Sequence, residues 1–139
     1  MILEDLIADL KSDEGFVPYA YRDHLGYLTI GYGRLIDKER GGRISEAEAE
    51  VLLQNDIVKF VNQLDAVLPW WRNLSDTRQN VLINMAFNLG IKGLLGFKNT
   101  LAKMQFADYA GAAENMLKSK WAKQVPNRAK RLSDQMRKG

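Results

Sequence analysis

The sequence has no cysteine, a single histidine and only three prolines among its 139 residues. Without cysteine there is neither a disulfide framework nor a thiolate metal ligand, which suits a reducing compartment. His24 alone cannot build a histidine cluster, so no metal site and no cofactor are expected. No apolar run approaches the length of a bilayer span, so stable membrane insertion is not expected. The start, Met1-Ile2-Leu3-Glu4-Asp5, is acidic where a secretory signal is basic. The expectation is a chain made in the cytoplasm without a Sec-type signal. Acids are scarce at the other end: from Lys118 to Lys138, Asp134 is the only acid among many lysines and arginines. Such a segment is either a solvated helix face or a surface drawn to polyanions.

What remains is the composition of an ordinary soluble globular protein, 46% hydrophobic and 27% charged. Its length fits one domain. Ile2, Leu3, Leu6, Ile7 and Leu10 recur at helical spacing, and Gly15 is placed to end that helix beside Glu14. Tyr19-Ala20-Tyr21 and Tyr27-Leu28-Thr29-Ile30 are β-forming runs joined by a His24-Leu25-Gly26 turn. Gly31 and Gly33 fit bulges or points of close chain approach. A turn over 37–42 leads to a possible third strand at Arg43-Ile44. Ser45-Glu46-Ala47-Glu48 reads as a capping box opening a long helix to about Ala66. The rest reads as helices opened by Ser75-Asp76, Asp108 and Pro126, with Gly90 closing the first of them.

The expected fold is therefore α+β: a small antiparallel β lobe at about 12–45, a connecting helix at about 46–66, and a helical lobe of 1–11 plus 67–139. Within it, Glu14, Asp23 and Thr29 fall on one helix-to-hairpin unit. Two carboxylates and a hydroxyl are a minimal kit for glycoside cleavage, one carboxyl donating a proton and the other placing a water. The carbonyl end of a helix beside Glu14 favours a carboxyl that keeps its proton. Taken singly, each residue also suits an ordinary helix end, turn or strand, so spacing alone stops at a two-lobed domain with hydrolase potential.

The strings Asp13-Glu14-Gly15, Tyr21-Arg22-Asp23 and Gly26-Tyr27-Leu28-Thr29-Ile30-Gly31-Tyr32-Gly33 resemble the active-site segment of the T-even phage lysozymes. That muramidase (endolysin) family is glycoside hydrolase family twenty-four. Ile83 to Gly90 is similar to its cleft helix, and Ser119-Lys120-Trp121 and Pro126 to Arg131 to its C-terminal segments. The resemblance is colinear over about residues 3–139. It implies a lysozyme-like fold and hydrolysis of the β-1,4 bond between N-acetylmuramic acid and N-acetylglucosamine in peptidoglycan. It further implies Glu14 as general acid, Asp23 and Thr29 as water-positioning groups, an inverting outcome, and Arg128 as a partner of Glu14. Leu35, Phe87, Thr100 and Asn115 fall where the family contacts the glycan. Arg34 and Asp56 match a charged pair. The implied partner is the peptidoglycan strand, met by a monomer that reaches the wall through a membrane lesion and binds no nucleic acid.

The chain departs from the family pattern between Ile36 and Ile44, where it is much shorter, and at its end, which lacks an extra tail. Asn88 and Lys120 replace a glutamine and an arginine. Trp70-Trp71 suits packing better than sugar stacking, and His24 suits a polar turn better than a base. A lytic transglycosylase needs no water-directing carboxylate, so Asp23 and Thr29 speak against that alternative. A lysozyme-like binding module and a nucleic-acid-binding tail are the other rivals.

Overall fold

Gly15 takes a positive φ of 70° and its amide closes on Lys11 O, so the first helix, α1 (Leu3–Glu14), stops with Glu14 as its last residue. In the computed structural model, which describes residues 1–38 and 42–139, three antiparallel strands follow. They are β1 (Val17–Arg22), β2 (Leu28–Gly31) and β3 (Arg34–Asp37), hydrogen-bonded in chain order. Tyr21 pairs with Thr29 across β1–β2, and Thr29 with Leu35 across β2–β3.

The third strand is not at Arg43-Ile44, which carry no strand. It begins at Arg34, because the chain reverses at once around Tyr32-Gly33, with Gly31 and Gly33 both at φ +70°. The expected turn over 37–42 lies partly outside the described residues.

The capping box forms as read. The Glu48 amide donates to Ser45 Oγ at 3.1 Å and the Ser45 amide donates to Glu48 Oε1 at 3.0 Å, opening α2 (Glu46–Val67). By its contacts the chain divides into Met1–Val51 and Leu52–Gly139, a boundary that falls within α2.

The second unit continues through a 3₁₀ turn (Trp71–Asn73), α3 (Asp76–Leu95), α4 (Lys98–Gln105), α5 (Tyr109–Leu117), α6 (Lys120–Gln124) and α7 (Pro126–Lys138). Ser75, Asp108 and Ser119 cap α3, α5 and α6 with side-chain oxygens, and Pro126 opens α7. Gly90 breaks α3 at φ +75° as the sequence suggested, but helical turns resume beyond it. Leu64, Trp71, Leu82, Met85, Met104, Met116, Leu132 and Met136 form one apolar core. No single helix among the described residues is long and apolar enough to cross a membrane.

Candidate active site

The first unit carries the three candidate catalytic residues, each held by a different local device. Glu14 is exposed at the end of α1, and its side chain lies against the backbone of Gly33. A Cβ built on Gly33 would fall 2.6 Å from the Glu14 carboxyl carbon and closer still to Oε2. Its left-handed backbone favours glycine there, and a Cβ would also push the flexible end of the Glu14 side chain aside. The close approach foreseen at the glycine pair is made by Glu14 itself. Gly31 differs, since a Cβ there would meet nothing within 4 Å. Tyr32 fastens the same turn to the end of α1: its ring lies 5.5 Å from that of Phe16, with Lys11 Nζ 5.4 Å from its centroid. The sequence reading had no role for Phe16, Lys11 or Tyr32, because none of them carries glycosidase chemistry.

Asp23 and Thr29 are tied through the peptide groups of Tyr27. Asp23 Oδ1 accepts from the amides of Leu25 and Tyr27, both at 2.9 Å. The Asp23 amide in turn donates to Tyr27 O at 2.9 Å, and Thr29 Oγ1 donates to the same oxygen at 3.1 Å. These bonds hold the Asp23 carboxyl below its ordinary range, the Tyr27 amide most strongly, with partial burial opposing and the Leu25 amide and His24 assisting. Asp23 is therefore a carboxylate at neutral pH, while Thr29 is 4% exposed. His24 is an exposed turn residue.

Arg34 does not pair with the expected Asp56. Its Nη2 lies 2.8 Å from Glu48 Oε1, the carboxylate that also closes the capping box. Leu35 is exposed on β3 and lines a shallow pocket with Ile36, Asp37 and Arg43. The nearly buried Asp37 carboxylate lies 3.6 Å from Arg43 Nε.

The second unit holds the remaining candidates in two clefts. Arg128 donates from Nε to Asn84 Oδ1 at 2.8 Å, and both line a cleft of 370 Å³ with Ile57, Ile83 and the half-exposed Phe87. Asn84 had no role in the sequence reading, although it stands in the string that resembled the cleft helix. Thr100 and Asn115 share a second, more polar cleft of 450 Å³. Trp71 is buried in the core and donates to Asp65 Oδ1 at 2.7 Å, which leaves it no free face for a sugar. Trp121 donates to Asn88 Oδ1 at 2.7 Å, so Asn88 has a structural partner. No cluster of acids and histidines among the described residues is arranged to hold a metal.

The sequence profile of the phage lysozymes matches residues 11–138. The chain belongs to the phage lysozyme family. This lysozyme is thus a hydrolase of peptidoglycan, and its substrate lies in the bacterial cell wall. It is 32% identical to the probable T4-type lysozyme 1 of Dictyostelium discoideum over 88% of both chains. It is 27% identical to the endolysin of Acyrthosiphon pisum secondary endosymbiont phage 1, over 85% of this chain and 77% of that one. The pre-baseplate central spike protein Gp5 of Enterobacteria phage T4 is 30% identical over 89% of this chain, which corresponds to only 26% of the spike protein.

Proposed function

We propose that this lysozyme cleaves the β-1,4 bond between N-acetylmuramic acid and N-acetylglucosamine, with Glu14 protonating the leaving oxygen and Asp23 and Thr29 orienting the attacking water. The hydrogen-bond polarity around Tyr27 is the observation that carries this assignment. Thr29 spends its one proton on Tyr27 O, so towards a water it offers lone pairs only. Asp23 Oδ1 accepts from two amides, and Oδ2 is assigned as the acceptor for the water. A water between them donates one hydrogen to each, and its own lone pair is turned outward for attack. Asp23, charged at neutral pH, also offsets positive charge developing at the anomeric carbon.

A water held in this way favours inversion, since it attacks the face opposite the leaving group. Arg128, steadied by Asn84, takes the supporting role towards Glu14 that the family resemblance gives it. Leu35, Phe87, Thr100 and Asn115 are assigned to the glycan. The enzyme acts as a monomer and reaches the wall through a membrane lesion.

Clearing of outer-membrane-permeabilised bacteria by wild type and Glu14→Gln tests the acid. The variant is expected to lose about 10²–10⁴-fold in rate, the usual contribution of a positioned general acid. Equal clearing by both proteins removes Glu14 from the chemistry, and no clearing by either indicates a binding module. Mass spectrometry of the products decides between water and an internal nucleophile: 1,6-anhydro ends would sink the assignment of Asp23 and Thr29.

A further inference from the structure

Within Met1–Val51 nothing polar anchors Glu14: its carboxylate makes no hydrogen bond or ion pair among the described residues of that unit. A glutamate side chain turns about three bonds, and free rotation at a surface would carry its proton away from the leaving oxygen. What locates the carboxyl is contact with Gly33, whose main chain it lies against. The position of the turn therefore sets where Glu14 points. Tyr32, the neighbour of Gly33, fastens that turn. Its ring lies 5.5 Å from the Phe16 ring at an interplanar angle of 46°, and Lys11 Nζ stands 5.4 Å from its centroid. Phe16 follows Glu14 in the chain and Lys11 precedes it by one helical turn, so the ring grips the end of α1 on both sides of the acid. Neither ring belongs to the apolar core: Phe16 is 64% exposed and Tyr32 46%. Burial accounts for little of this pair, whereas a tilted ring contact and a cation over a ring face are directional and fix an orientation.

We infer that Tyr32 is a positioning residue for the general acid: by clasping Phe16 and Lys11 it holds the Gly33 turn against Glu14 and keeps the carboxyl in one place. The inference rests on the assignment of Glu14 as the acid and deepens it. Both contacts are made by the ring, so the phenol hydroxyl has no part in the clasp. The clasp acts on kcat, because it governs where the proton is held. It leaves KM alone, because the residues assigned to the glycan lie elsewhere.

Steady-state cleavage of soluble peptidoglycan strands by Tyr32→Ala and Tyr32→Phe provides the test. Tyr32→Ala is expected to lower kcat about tenfold or more at unchanged KM, within the about 10²-fold that displacing a reacting group by about 1 Å costs. Tyr32→Phe keeps the ring and should keep the wild-type kcat. Phe16→Ala breaks the same contact from the other side, and carries the test if Tyr32→Ala does not fold. It should match Tyr32→Ala, and the double variant should be no slower than either single one. Tyr19→Ala removes a comparably exposed ring that has no ring contact among the described residues, and should keep wild-type kinetics. In a Glu14→Gln background Tyr32→Ala should cost nothing further, since no proton is left to position. A further loss there, a wild-type kcat in Tyr32→Ala, a raised KM at unchanged kcat, or an equal loss in Tyr32→Phe or Tyr19→Ala overturns the inference and leaves the acid standing. Glu14→Gln as fast as wild type removes the acid itself, and the inference with it.

Discussion

The two units are held together by different forces. In Leu52–Gly139 the buried side chains are chiefly apolar and form one continuous core, from Leu64 and Trp71 through Met85 to Met136. In Met1–Val51 the buried residues among those described are Thr29 and Asp37, both polar. The first unit is shaped by turns, caps and short hydrogen bonds, and the second by removal of apolar surface from water. The residues proposed for the chemistry sit where the fold is made by local geometry. That arrangement suits a reaction needing solvent access and an exposed proton donor, and it leaves bulk stability to the helical unit.

Substitutions can separate the two contributions. The largest expected effect is kinetic: Glu14→Gln should abolish most clearing while leaving the melting temperature nearly unchanged, since the side chain is exposed and its amide is isosteric. Met85→Ala should do the converse. Emptying a fully buried methionine site costs about 2–5 kcal/mol of unfolding free energy, read by urea titration, with activity per folded molecule preserved. If Met85→Ala instead lost activity at unchanged stability, the division of labour would be wrong.

Gly33→Ala falls between these extremes. A left-handed backbone costs a residue with a Cβ about 1–2 kcal/mol, and the new methyl must push the flexible end of Glu14 aside. Displacing a reacting group by about 1 Å can cost about 10²-fold in rate. Activity should therefore drop further than stability does, and a variant that loses only stability would remove Gly33 from the site.

The smallest expected effect is the acid limb of stability. Asp65 is held down from 3.8 to about 2, first by Arg72 and then by Trp71. A lowered carboxyl contributes above its unfolded value and loses that contribution as pH falls through the folded one. The melting temperatures of wild type and Asp65→Asn should differ at neutral pH and converge between about pH 4 and 2. A gap independent of pH would assign the effect to packing.

Much of this was legible before any coordinates. The caps at Ser45, Ser75 and Asp108 and the proline at 126 announced helix starts, because one side-chain oxygen or one fixed φ decides each of them. The end of α1 at Glu14 followed from Gly15. The third strand lies earlier than a turn over 37–42 suggests, because two positive φ values so close together, at Gly31 and Gly33, reverse the chain. The partner of Arg34 was misjudged for a related reason: Glu48 and Asp56 lie on the same helix, and only the position of β3 decides which is within reach. Residue types alone suggested Glu14, Asp23 and Thr29, and the family resemblance gave them roles. Tyr27 stayed hidden, because it acts through backbone atoms that every sequence possesses.

Tyr27 shows where that concealment leads. Its amide and carbonyl together bind Asp23 and Thr29, yet its own side chain takes no part in either bond. An alanine scan would leave both peptide groups in place and report an unimportant residue. Replacing the Tyr27 amide with an ester deletes the donor to Asp23 without altering any side chain, and would expose the position. The wiring of this hairpin runs through main-chain atoms, so any residue that keeps its N–H at position 27 keeps both peptide groups, and proline alone among the coded residues deletes the donor.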